Sequence, residues 1–236
     1  MNVTPRKLLL PLAAVAAAMG GAAAPASASI SEISSLGENK PGCPGFAADD
    51  CRIVLARQTA FQVKVGTTKA ITTVPSDGHI VAWTLPIAGV SAANVKKGNS
   101  NYGGAPMVSL VVLAPLGKSV FKVVSKGPMV DVTKYLGTTP TFALPTAIPV
   151  KKGQVVGLTV PTWAPILQLG LGADTSWRSS RPLKEAADGN FAAQRALVGK
   201  ATQASFAGLF QRARLTYSAT FVPTPTTAST PSTTKK

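Results

Sequence analysis

The chain has 236 residues, 24 of them Lys or Arg against 9 Asp or Glu, a formal charge of +15, with one His and two Cys. So few acids and a single imidazole leave little material for general acid–base chemistry, while the length suits one domain of moderate size with a real core. The charge favours encounter with anionic polymers or membrane surfaces, although basic residues scattered this evenly also serve solubility alone.

Residues 1–28 read as an export signal. Arg6 and Lys7 form a positive n-region, Leu8 to Met19 a short apolar core, and Ala26-Ser27-Ala28 a small-x-small site that places cleavage before Ser29. The apolar stretch falls short of the roughly 20 residues that a spanning helix needs. No cysteine follows it directly to carry a lipid. The mature chain is therefore expected to be secreted or associated with the cell envelope, with no transmembrane segment and a charge of about +13.

Residues 29–42 are polar and Ser-rich and are expected to form a flexible lead. Cys43 and Cys51 follow. In an oxidising compartment an isolated pair is most simply a disulfide, here closing a small loop ahead of the first strand. A metal site is the alternative, but zinc usually takes four ligands and only one His exists to help.

Between residues 43 and 222 short apolar runs are punctuated by Gly and Pro. Phe61, Val63 and Val65 alternate with Gln62 and Lys64, as a half-buried strand does. Further strands are predicted over 70–74, 79–85, 108–113, 119–125, 155–160 and 166–171. The last strand is predicted over 212–221, with Leu215, Tyr217, Ala219 and Phe221 on its inner face and Arg212, Arg214, Thr216, Ser218 and Thr220 on its wet face. Turn signals fall between these runs at Pro75-Ser76-Asp77-Gly78, Lys97-Gly98-Asn99, Leu116-Gly117-Lys118, Lys126-Gly127-Pro128 and Lys151-Lys152-Gly153. Many short strands with turns at near-regular spacing predict an all-β fold, a single β-sandwich or jelly roll. Only residues 181–208 break the rhythm, and they read as a long loop with room for a short helix before the last strand. Residues 223–236, almost wholly Thr, Ser and Pro, form a tail that cannot bury apolar surface.

Three segments carry a resemblance. Pro75-Ser76-Asp77-Gly78-His79-Ile80-Val81-Ala82-Trp83, Ser109-Leu110-Val111-Val112-Leu113-Ala114-Pro115 and Ile148-Pro149-Val150-Lys151-Lys152-Gly153-Gln154-Val155-Val156-Gly157-Leu158 resemble exported bacterial β-sandwich (jelly-roll-like) proteins of unknown function. The last segment is also similar to the Gly-Asp edge turns of carbohydrate-binding modules, with Gln154 in place of the acid. The resemblance covers roughly residues 75–160 and the last strand, and it implies fold far more than function.

For catalysis, His79 is the one imidazole, it follows an Asp77-Gly78 turn, and no Gly-x-Ser-x-Gly elbow accompanies it. The acids Asp49, Asp50, Asp77, Asp131, Asp174, Glu185 and Asp188 sit in turn-like settings, and no two share a strand at alternate spacing as a glycosidase pair would. Asp49-Asp50 and Asp188-Gly189-Asn190 offer oxygens for calcium but lack the twelve-residue pattern of an EF-hand. Gly170-Leu171-Gly172 lacks the third glycine of a phosphate fingerprint. The expectation is a protein that is not an enzyme and carries no cofactor or metal.

Aromatic residues remain. Trp83 reads as core. Trp163, between Pro161 and Pro165, is either a rigid stacking platform or a plug over one end of the sandwich. Trp177 beside Arg178 and Arg181 fits an anionic or sugar-like ligand, the ring stacking and the guanidinium groups donating paired hydrogen bonds, unless the ring is core and the arginines merely solvated. Tyr102, beside Lys96 and Lys97, offers a second such surface. The candidate ligand residues are thus Trp177, Arg178, Arg181, Trp163 and Tyr102. They point to a non-catalytic module for an anionic or glycan polymer of the cell envelope. The competing readings are a structural or protein-interaction scaffold and, behind both, a glycan hydrolase. Nothing indicates specific nucleic-acid binding, and oligomeric state is open.

Overall fold

A computed structural model describes residues 29–38, 40–45, 51–188 and 192–225. The expected export signal, Asp49, Asp50, Gly189, Asn190 and the tail beyond Pro225 lie outside the described residues.

Among the described residues fifteen strands follow one another, with two short α-helices and one 3-10 turn at Thr133–Tyr135. They are β1 (Ser31–Ser34), β2 (Val54–Val65), β3 (Thr68–Lys69), β4 (Gly78–Thr84), α1 (Ala92–Tyr102), β5 (Met107–Gly117), β6 (Val120–Lys126), β7 (Val130–Asp131), β8 (Thr141–Val150), β9 (Val155–Pro165), β10 (Leu167–Leu169), β11 (Ser176–Ser179), α2 (Leu183–Ala187), β12 (Gln203–Ser205), β13 (Leu209–Gln211), β14 (Ala213–Leu215) and β15 (Ser218–Pro223). The fold is all-β. A smaller sheet has the order β1-β15-β4-β8, and a larger sheet runs β12-β6-β5-β9-β2-β11-β13, with β3 added to β2 and β7 to β5. β10 and β14 form a separate two-stranded ribbon. Every named strand pair is antiparallel.

The core joins both sheets. Ile80 and Trp83 of β4 and Ala219 and Phe221 of β15 cluster with Leu110, Val112, Val156 and Leu158 of β5 and β9. The continuous apolar run of β5 is explained by burial on both faces: Val111 and Leu113 point the other way, into a second cluster with Phe61, Val123, Leu197 and Phe206. The segment 192–208 covers that outer face. It includes β12, paired with β6, and it follows α2, so the long loop expected there does carry a short helix.

Several expectations change. Ser31–Ser34, expected within a flexible lead, is a strand that pairs with β15. Residues 70–74 are a turn and not a strand. Ala70, at a positive φ of 54°, and Thr73 instead bridge β2 to β9 through Ala70 N to Val63 O and a Thr73–Val155 bridge. The strand expected over 212–221 is two strands in different sheets, because the chain leaves the β10 ribbon at Leu215 and joins the small sheet at Ser218. Thr216 and Ser218 are consequently buried, not wet. Gln62, expected on a wet face, is 1% exposed. Its amide donates to Lys64 O and Ser176 O and accepts from Leu215 N, so one side chain stitches β2, β11 and β14.

The turn expected at Lys97-Gly98-Asn99 is the middle of α1, whose Ser91 Oγ accepts from Asn94 N at the start and whose Gly103 takes the left-handed conformation (φ 85°) at the end. Other turns fall as expected: Gly153, at φ 83°, turns the chain from β8 of the small sheet into β9 of the large one, and Lys118 and Ser119, both at positive φ, cap the β5–β6 hairpin.

Cys43 and Cys51 form the disulfide. Beside it, Gly42 bonds to Leu167 and Leu169 through its N–H and C=O, and both cysteines pack against the main core. The bridge therefore ties this segment to the start of β2. Replacing both cysteines with alanine is expected to lower unfolding free energy by about 2–3 kcal/mol, read as a drop in urea midpoint. Among the described residues no helix is long and apolar enough to cross a membrane.

Candidate functional site

The five candidate ligand residues separate into an interior set and one groove residue. Trp163 lies within β9, not in a loop, and is 2% exposed. Pro161 has no N–H to give the ladder, so the strand carries a bulge there: Ala56 pairs Trp163, Gln58 pairs Val160, and Arg57 between them takes φ 52°. The indole turns inward and donates to Asn99 Oδ1 and Gly104 O, each at 3.1 Å. Trp177 is 6% exposed and stacks on Phe210 with centroids 4.5 Å apart. Neither ring is presented to solvent as a platform, and Trp83 is core as expected.

Arg181 is 1% exposed. Its guanidinium reaches the carbonyls of Ala56, Arg57 and Ala193 and lies 3.7 Å from the Glu185 carboxylate, which Arg195 also holds at 2.6 Å. Burial pulls this guanidinium below its ordinary value, Glu185 opposes the shift, and Arg195 and Arg57 add to it. Tyr102, half-buried at the end of α1, is close enough to act on it electrostatically. Arg181 thus holds the β2 bulge to the segment after α2.

Arg178 is the exception. It follows Trp177 on β11, so its side chain takes the opposite face, beside Phe61 of β2. One Nη donates to Phe206 O at 2.8 Å and Ala207 O at 2.9 Å, fixing a half-buried cation in place. There it lines a groove of about 390 Å³ on the outer face of the large sheet. Phe61, Val63, Phe121 and Val155 form the apolar lining, and Thr73, Ser119 and Lys69 stand with Arg178 among the polar groups.

No family model, curated protein or solved structure matches this chain. Function has to be read from the groove itself.

Its walls follow from topology. Lys64 pairs with Lys69 on one side and Ser176 on the other, so β3 and β11 occupy opposite edges of β2. Lys69 and Arg178 therefore flank the Phe61–Val63 stretch from two sides. The third wall is the 70–73 bridge, and the far end is the β5–β6 hairpin, held down by Phe206 N donating to Ser119 O. Phe61, Phe121 and Phe206 lock together with centroids 5.0–5.5 Å apart, which makes the lining a rigid aromatic surface. No carboxylate lines the groove among the described residues. Lys69, Phe121 and Ser119 were not legible as site residues, since they are far from Arg178 in sequence and only the sheet order joins them.

Asp77 and Asp131 are engaged at turns elsewhere. Asp77 accepts from Lys152 N and pairs with Lys151, exposed at a turn, and those contacts hold its carboxyl below the usual range. Asp131 is lowered in the same way by Thr133, whose hydroxyl and N–H it accepts. His79 is exposed on β4 opposite Pro149 and Val222. Among the described residues no three His, Cys, Asp or Glu cluster as a metal site would require.

Proposed function

We propose that the protein is an exported, non-catalytic β-sandwich module that binds an acidic polysaccharide of the cell envelope or extracellular space along the outer groove. The observation that carries this reading is the pairing of a fixed Arg178 and an exposed Lys69 across an aromatic-lined concavity that holds no carboxylate among the described residues. Carboxylate or sulfate substituents on a sugar chain meet the cations, while the less polar faces of the rings lie on Phe121 and Val63. The signal-like residues 1–28 and the disulfide support export. Recognition through the groove replaces recognition through the indoles, which are interior.

Burial of all three indoles also favours a second reading, a scaffold that docks a protein surface and takes no glycan.

The test is a pulldown of the mature chain on acidic glycans and cell-wall material at two salt concentrations. Arg178→Gln is expected to weaken binding at least about tenfold, as loss of a charge-assisted hydrogen bond does. Lys69→Gln, at an exposed position of β3, is expected to flatten the salt dependence. Binding to neutral and acidic glycans alike, or to neither, would overturn the proposal.

A further inference from the structure

A second concavity, of about 630 Å³, opens beside the β10–β14 ribbon and is lined by Leu36, Gly37, Glu38, Gln168, Leu171 and Arg214. Gln168 and Arg214 are directly opposed across the ribbon, so their side chains stand on one face. Gln168 is 3% exposed, yet its Oε1 has no donor among the described residues. Arg214 has a buried Nε that likewise lacks a partner, and no carboxylate comes within ion-pair distance of its guanidinium among the described residues. Burial pulls that guanidinium below its ordinary value.

Gly37 shows how tightly these groups converge. A Cβ added there would lie 2.3 Å from Arg214 Nη1 and 3.6 Å from Gln168 Oε1. The backbone after β1 thus runs directly over the pair, and a side chain at position 37 would have to push the guanidinium aside. A buried acceptor beside a half-buried guanidinium whose Nε has no partner among the described residues is costly to maintain, and together they specify what would relieve them.

We propose that this cleft binds the C-terminal residue of an extended peptide with an apolar last side chain. The terminal carboxylate meets Arg214 as a fork-to-fork pair. The N–H of the same residue donates to Gln168 Oε1. The side chain lies against half-buried Leu36 and Leu171. These three groups occur together on one residue only at a peptide's C-terminus, a known mode of chain-end capture. Exposed Glu38 on the rim repels a second negative charge, so a polyanion fits poorly where a single carboxylate fits well. This ligand class is independent of the groove at Arg178.

The experiment is an anisotropy titration of the full chain with a dye-labelled Gly-Ser-Ala-Leu peptide bearing a free carboxylate and with its C-terminal amide. The acid is expected to bind with a Kd at or below about 1 mM and the amide at least about tenfold more weakly. Arg214→Gln should abolish the preference for the acid. Should that variant fail to fold by its melting curve, Arg214→Lys keeps the charge, loses the fork, and is expected to narrow the preference. Arg178→Gln, at the other groove, should leave peptide binding unchanged, so failure here and failure of the polysaccharide reading are separable. Equal binding of acid and amide, or none of either by about 1 mM, would overturn the proposal.

Discussion

Trp163→Ala is expected to cost about 3–5 kcal/mol of unfolding free energy, and Gly98→Ala, against its helix propensity, is expected to destabilise as well. The two residues form one packing unit. Gly98 is the buried point of α1, and a Cβ added there would lie 2.7 Å from Trp163 Cε2 and 2.8 Å from Cζ2. Exchanging a mid-helix glycine for alanine ordinarily gains about 1 kcal/mol. Here the methyl meets a ring that cannot retreat, because Nε1 is bonded to Asn99 and Gly104 at the two sides of the helix end. Overpacking of this kind costs about 1–3 kcal/mol, enough to reverse the sign. Truncating the indole removes the clash, so in the double variant alanine at 98 should become neutral or stabilising, a coupling of about 1–3 kcal/mol. Urea denaturation of the four proteins reads this directly. A stabilised single Gly98→Ala variant would show that the indole does not anchor α1.

The same pair shows where sequence reading succeeds and fails. Strands with a strong local signature were legible: the apolar run of β5, the β4 strand after Asp77-Gly78, the Gly153 turn, and the cysteine pair. α1 was not, because it is largely solvent-exposed and touches the interior through a glycine. It therefore has no apolar stripe to give a helical period, and only its caps, Ser91 and Gly103, mark it. Strict alternation misled at the other extreme. Leu215, Tyr217, Ala219 and Phe221 are all buried as expected, yet the period of two continues straight across a change of sheet, which depends on partners far away in sequence. Gln62 reads as wet for the same reason: its burial is decided by β11 and β14, which supply the carbonyl and N–H that satisfy its amide. Arg178 draws notice in the sequence through its neighbours' chemistry. The groove around it needed the order of six strands.

The change of sheet makes Tyr217 the residue whose loss reaches furthest. Its backbone N–H and C=O face Ser35, beside β1 of the small sheet. Its hydroxyl crosses the core to donate to Val156 O of β9 at 2.8 Å and lies 3.5 Å from Gln62 N of β2. One side chain thus bridges the two sheets, fully buried. Burial is the largest influence on the phenol and pushes its pKa well above the ordinary value, with contacts from Thr72 and Gln62 opposing only in part.

The consequence appears in alkali. Below pH about 10 the phenol is neutral in both folded and unfolded chains and contributes no pH dependence. Above that, the unfolded chain releases the proton while the folded chain retains it. The unfolded state then binds fewer protons, and stability falls by about 1.4 kcal/mol per pH unit until the folded phenol itself ionises. Tyr217→Phe is expected to be less stable by about 1–3 kcal/mol at pH 7, because Val156 O is left buried without its donor. The variant lacks the alkaline term, however, so its deficit should shrink as pH rises from 9 toward 11 and vanish within roughly two units of the phenol's ordinary pKa. Lysine titration acts on both proteins alike and cancels in the difference. Urea midpoints measured in parallel across that range decide the matter: a gap that stays constant with pH would mean that the hydroxyl ionises in place, and that the bridge between the sheets is open to solvent.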